Sequence, residues 1–312
     1  MVTRFAVLSI IITSLFACAP PPQPSDKPVD ILNLLIIKTI GPSIEGTNEL
    51  RSPRDAAVNQ KGEIYIADYG NDRIVRLDST GAFINETGGF GADDYVLSGP
   101  ISIALDNISN VYVVDSGNSR IIRYDRYLNF ISSERYIKGN SDIAFVRPTC
   151  IDVSNRGDIV IGDEGLAACY RLNQLFGYNY DFGGRDDIQS IIYPSSIVYD
   201  NRLFKVYVTD SHTSRVAVYD DFGLLLQTFG DEILEKPSGV VRSVHTGFWV
   251  CDEQTGMLYN FDSHGRETFR WNGYGGNTLS SPVGLYITDS DILYIVDSQT
   301  SRILITSPIS GN

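Results

Sequence analysis

Apolar residues fall along most of this chain in short runs, separated by turns rich in Gly, Asn and Asp. The runs alternate or fill with β-branched side chains, which is the pattern of strands. Six of them end alike: IYIAD (64–68), VYVVD (111–115), IVIGD (159–163), VYVTD (206–210), FWVCD (248–252) and LYIVD (293–297). Their aspartates, Asp68, Asp115, Asp163, Asp210, Asp252 and Asp297, are spaced by 47, 48, 47, 42 and 45 residues. A proline precedes each at a matching place: Pro53, Pro100, Pro148, Pro194, Pro237 and Pro282. Five residues after the aspartate stands Arg73, Arg120, Arg215 or Arg302 in four copies, with Ala168 and Met257 in the other two. Such in-phase recurrence marks an internal repeat.

Each unit reads as four short strands. Strand a follows the proline, strand b ends at the aspartate, strand c is the Arg73-Ile-Val-Arg-Leu-Asp78 type, and strand d resembles Leu225-Leu-Gln-Thr-Phe229. Four-stranded units repeated radially at this period are the blades of a β-propeller, here an all-β, six-bladed one. The sixth unit supplies strands a, b and c and then stops after Ile303-Leu-Ile-Thr306. A lone d-like strand, Ile36-Ile-Lys-Thr-Ile-Gly41, precedes the first unit. The N-terminal strand is therefore expected to complete the last blade and to remove the open sheet edges.

The patterns Asp68-Tyr-Gly-Asn-Asp-Arg73 and Asp115-Ser-Gly-Asn-Ser-Arg120 resemble the NHL repeat, over roughly residues 36 to 307. The resemblance implies a six-bladed ring but no single activity, because propellers host many. At Ala168 and Met257 the chain departs from the pattern, and the b–c turns of blades three and five are expected to differ.

The first residues belong to a different object. Arg4 is followed by an apolar stretch from Phe5 to Phe16 that is too short for a mature bilayer span and reads as a secretion signal, residues 1–17. Leu15-Phe16-Ala17-Cys18 resembles the lipobox of bacterial lipoproteins, which implies acylation at Cys18. The Pro-rich stretch to residue 29 is a stiff spacer, and the propeller is expected over 30–312. Ala19 resembles an outer-membrane sorting residue, so the expected location is the bacterial cell envelope, by a lipid anchor in the membrane.

The formal net charge of −13 becomes −14 once Arg4 is lost, a surface that repels phosphate backbones and argues against nucleic acid. Three cysteines remain, Cys150, Cys169 and Cys251, in no zinc-like spacing and each among apolar strand residues. Buried free thiols are the expected outcome.

Candidate chemistry is sparse. A residue present in every blade serves what every blade needs, so the six aspartates and the arginines are assigned to structure: Asp binds the amides of the following turn and pairs with Arg. The peptidylglycine amidating lyases resemble a propeller of this repeat with zinc held by histidines near the mouth, two residues after the blade proline. Those slots hold Asp55, Ser102, Cys150, Ser196, Gly239 and Gly284, and no histidine. His212, His245 and His264 fall in a b–c, an a–b and a c–d turn, and cannot converge on one ion. No Gly-x-Ser-x-Gly elbow or phosphate-binding loop occurs, so no catalytic residue, metal or cofactor is expected.

The reading is an envelope-anchored, non-enzymatic propeller that binds a protein, peptide or glycan through the upper rim of d–a and b–c loops. Its candidate residues are Asp55, Ser102, Cys150, Ser196 and His212, with Tyr69, Asp72, Asn118, Glu164 and Glu253 on the surrounding b–c turns and Phe90, Tyr95 and Tyr274 as aromatic loop residues. The alternative is a lyase or hydrolase using carboxylates at the channel mouth, with or without a divalent ion.

Overall fold

The fold is taken from a computed structural model that describes residues 31–139, 141–184 and 191–310. The expected signal segment, the spacer and Cys18 lie outside the described residues.

Blade 1 is the sheet β2 (Asp55–Val58), β3 (Ile64–Asp68), β4 (Arg73–Leu77) and β5 (Phe83–Gly88). Blade 2 is β6 (Pro100–Leu105), β7 (Val111–Asp115), β8 (Arg120–Tyr124) and β9 (Phe130–Glu134). A two-stranded hairpin, β10 (Tyr136–Ile137) with β11 (Ile143–Ala144), is inserted before blade 3. That blade is β12 (Pro148–Val153), β13 (Ile159–Asp163), β14 (Ala168–Leu172) and β15 (Tyr178–Phe182). Blade 4 follows as β16 (Pro194–Asp200), β17 (Lys205–Asp210), β18 (Arg215–Asp220) and β19 (Leu225–Phe229). Blade 5 is β20 (Pro237–Ser243), β21 (Gly247–Asp252), β22 (Met257–Phe261) and β23 (Glu267–Trp271). The last blade takes β24 (Pro282–Ile287), β25 (Leu293–Asp297) and β26 (Arg302–Ser310) from the end of the chain, and β1 (Ile31–Ile40) from its beginning.

Closure thus occurs as the repeat arithmetic requires. The seam is longer than expected, because β1 pairs antiparallel with β26 from Ile31↔Ser310 to Ile40↔Ile303. β25 ends against Thr306, so the first five residues of β1 and the last four of β26 run past it as a two-stranded ribbon, whose Leu34 is still buried in the core between blades 5 and 6. The sixth blade is joined to the first at close quarters. A Cβ on Gly284 would lie 2.6 Å from the Arg54 carbonyl oxygen.

The core is not one cluster but six, one between each pair of neighbouring blades. This is why each strand b is buried from end to end, save the first residue of β17 and of β21. Each has a blade packed on both faces, as in a parallel sheet covered by helices. Cys150, Cys169 and Cys251 all sit inside these layers as free thiols, and burial pushes Cys150 and Cys251 up to about 12. Among the described residues, no helix is long and apolar enough to cross a membrane.

Candidate functional site

The repeated aspartates lie at the top of strand b, fully buried, and clasp the loop that enters their blade. Asp68 accepts the Arg51 amide at 2.7 Å, Asn71 Nδ2 at 2.8 Å and Arg73 Nε at 2.7 Å. Asp115 repeats this with Ser98, Asn118 and Arg120. Asp163 has Ala168 where an arginine would stand, and takes the amides of Val146, Arg147 and Leu166. Asp210 and Asp252 each accept four backbone amides, two from the entering loop and two from the b–c turn. Asp297 holds the Ser280 and Ser281 amides, Thr300 Oγ1 and Arg302 Nη2. The b–c turn keeps its path even where arginine is lost. The fourth residue after the aspartate is left-handed in every blade: Asp72, Ser119, Ala167, Ser214, Gly256 and Ser301. The expected change of turn in blades 3 and 5 is not a change of backbone but of what fills the aspartate's acceptor sites.

The innermost strands create a different problem. Strand a is the lumen edge of its sheet, so alternate amides have no strand partner. Side chains of the preceding blade supply one. Asp55 Oδ2 accepts the Ile103 amide and the Ser102 hydroxyl, both at 3.0 Å. Ser102 Oγ accepts the Ile151 amide at 3.4 Å, Asp152 Oδ2 the Tyr199 amide at 2.8 Å, and Ser196 Oγ the Val240 amide at 3.4 Å. These four side chains stitch blades 1 to 5 around the channel.

They also stand on the wall of a central cavity of about 930 Å³. From Asp55, Ser102 and Ser196 it runs down the inner strands, past Asp152, Tyr199 and Tyr286, to the a–b turns. Its mouth is made by Asn59 and Gln60, Asn107, Asn155, Asn201 and Arg202, and Asp289. The mouth is knit together: the Asn155 amide donates to Asn201 Oδ1 at 2.7 Å, and Arg202 Nη2 lies 3.2 Å from Asp289 Oδ1. Below it Arg242 Nη1 pairs with Asp200 Oδ2 at 3.2 Å.

The concave site therefore opens on the end opposite to the expected upper rim. Asp55, Ser102 and Ser196 do line it, from its inner end. Cys150 does not: its thiol is turned into the blade 3–blade 4 interface, beside Gly162 and the Pro194 carbonyl. His212 stands exposed on a b–c turn, away from the cavity, with its amide on Asp210. Tyr69, Asn118 and Glu164 on neighbouring turns do not line it either. A bulge after the blade proline shifts register at Ser102, Cys150 and Ser196 alike; what sets Cys150 apart is its apolar thiol, which packs against Gly162 instead of facing the lumen. Sequence reasoning missed Asp152, Tyr199 and Arg242. A charged residue inside an otherwise apolar innermost strand is the signal that would have found Asp152 and Arg242.

Burial pushes the Asp55 carboxyl up from 3.8 to about 7, against the lowering effect of its hydrogen bonds. Burial likewise pushes Asp152 up to about 6. Both folded values exceed the unfolded one, so their stabilising contribution is complete below about pH 4 and is lost as pH rises through 6 and 7. Asp55→Asn keeps an acceptor but cannot ionise. It should flatten the fall in stability between pH 5 and pH 8 by on the order of 2 kcal/mol, a figure reduced for solvent in the lumen. Urea midpoints of both proteins at the two pH values test this; parallel curves would contradict it.

With this geometry in place, residues 50–77 match the NHL repeat. The matched segment takes in β2, β3 and β4 with the Asp68–Arg73 pair. The first blade is an NHL repeat. Among curated proteins, the chain is 24% identical over 124 residues to the protein brain tumor of Drosophila melanogaster, covering 39% of this chain and 12% of that protein. Solved propellers of similar fold include a streptogramin B lyase, at TM-score 0.63 and 12% identity, covering 90% of this chain and 99% of that one. A catalytically inactive virginiamycin B lyase from Staphylococcus aureus with quinupristin has TM-score 0.61, 15% identity and 89% coverage of both chains. An auxiliary nutrient binding protein from Bacteroides ovatus has TM-score 0.63 and 12% identity, covering 89% of this chain and 77% of that one. At these identities the likeness is one of fold.

Proposed function

We propose that this NHL propeller is an envelope-anchored, non-enzymatic binding module that takes a polar peptide or glycan segment into its central cavity from the a–b end. The observation that carries the reading is the cavity itself, about 930 Å³ and walled by tyrosines, side-chain amides and paired charges. That volume suits a ligand of several residues or sugars, and such walls offer both flat apolar faces and fixed donors and acceptors. Binding a nutrient-like ligand on this fold has a parallel in the name of the Bacteroides ovatus protein.

The lyases of the same fold support a second reading, in which Asp55 acts as an acid or base because its carboxyl sits near 7. Its hydrogen bonds weigh against that role. The Ala56 and Ile103 amides and the Ser102 hydroxyl all belong to the wall. A panel of oligosaccharides and short peptides, screened by thermal shift on the full chain, decides the matter. A binder is expected to raise the melting temperature of the wild type and to lose tenfold or more in affinity on Arg242→Ala, on the order of 1.4 kcal/mol. A binder unaffected by Arg242→Ala but lost on His212→Ala would return the site to the upper rim.

A further inference from the structure

We infer that the a–b face, onto which the cavity opens, is the face turned toward the lipid bilayer; this rests on the lipoprotein reading of Cys18. The first observation is where the chain leaves the ring. In the β1–β26 ribbon, Ile36 and Thr306 are the last pair that reaches β25, at Leu293. Residues 31–35 lie beyond it, at the end of the blade where the turn 288–292 joins strands a and b. Asp289 and Ser290 of that turn line the cavity mouth. The segment carrying Cys18 therefore enters the propeller on the same side as the mouth. Only 12 residues separate Cys18 from Ile31, a reach of at most about 40 Å when extended.

The second observation is what protrudes from that face on the far side of the ring. At the tips of the a–b and c–d turns of blades 2 to 4, Phe222 is 82% exposed, Leu175 69% and Ile108 66%. Leu203 and Phe204 are about half exposed beside them. Cations accompany them: Arg156 lies 4.9 Å over the Phe204 ring and Arg126 5.4 Å over Tyr127. Apolar tips with long cationic side chains suit the boundary between acyl chains and phosphate headgroups. A tether under blade 6 and apolar tips under blades 2 to 4 hold the ring face-down. The partner is then the anchoring bilayer itself, held by the tether and the apolar tips against the chain's net negative charge, with Arg126 at the headgroups and Arg156 shared with Asp221 at 3.8 Å. A ligand of the cavity must enter from the gap between propeller and membrane.

The test uses the full, lipidated chain on vesicles of phosphatidylethanolamine and phosphatidylglycerol that contain brominated lipid. A fluorophore is placed in turn at Phe222→Cys, at Ile108→Cys and, on the upper rim, at Phe90→Cys; the three native thiols of the propeller are buried. Severalfold stronger quenching at positions 222 and 108 than at 90 is expected. Equal quenching, or quenching confined to position 90, overturns the orientation. Mass measurement of the N-terminal peptide keeps the two claims apart. A chain without acyl groups at Cys18 overturns the anchor, and this inference with it; an acylated chain quenched at position 90 overturns the orientation alone.

Discussion

A chain lacking residues 31–40 should lose its cooperative unfolding transition and aggregate. Removing β1 uncovers the full length of β26, from Ile303 to Ser310, as an edge strand. It also takes Leu34 out of the blade 5–blade 6 core and Ile40 out of the blade 6–blade 1 core, where they are 0% and 4% exposed. Each such side chain is worth about 2–5 kcal/mol when truncated, and a whole domain of this kind has only about 5–15 kcal/mol to lose. The direct contacts that remain between blades 6 and 1, the Tyr286 hydroxyl on the Val58 carbonyl at 2.7 Å among them, must then hold the ring against an incomplete sixth blade. Circular dichroism during heating, compared with a chain truncated only to residue 30, measures the effect. An unchanged midpoint would show that blade 6 stands without its N-terminal strand.

Asp115→Ala should be the most damaging single change among the repeated aspartates that pair with arginine. Arg120 is wholly buried, and its Nε lies 2.7 Å from Asp115 Oδ2. Its other donors reach only carbonyl oxygens, at Ala92, Asp93 and Val96, and the rim carboxylate of Asp94 at 3.6 Å. Removing the carboxylate leaves a buried cation without its compensating charge, and strands the Ser98 amide and Asn118 Nδ2 as well. A buried pair broken in this way costs about 3–5 kcal/mol. Asp163→Ala offers the control, because Asp163 has no arginine and binds backbone amides. Its loss should cost less, about 1–3 kcal/mol in all, because the Val146, Arg147 and Leu166 amides belong to exposed or half-buried residues that water can reach. Urea denaturation of both variants gives the comparison, and equal losses would show that the charge of Arg120 is compensated elsewhere.

The architecture was readable because each blade repeats the same local signals in the same order. Proline, apolar strand, aspartate and turn each depend on near neighbours, and six copies average out the irregular ones. What could not be read was longer in range or weaker in pattern. The hairpin of β10 and β11 is held by two residues a side, below any periodic signal. The extension of β1 to Ile31 has no counterpart in the other blades. For the site, Asp55, Ser102 and Ser196 were found because they follow a proline that is visible in the chain. Cys150 occupies the same slot, but a thiol gains little from the lumen and packs against Gly162 instead. Which end of the channel is open depends on how six inner strands converge, and no stretch of sequence records that.

The central claim is that ligand enters at the a–b end, and hydrogen–deuterium exchange of the full chain with and without the tightest binder from the screen tests it most directly. Slowed exchange is predicted in the a–b turns around Asn107, Asn155 and Asn201, which make the mouth. Protection confined instead to the b–c turns around Tyr69, Asn118 and His212 would contradict the account.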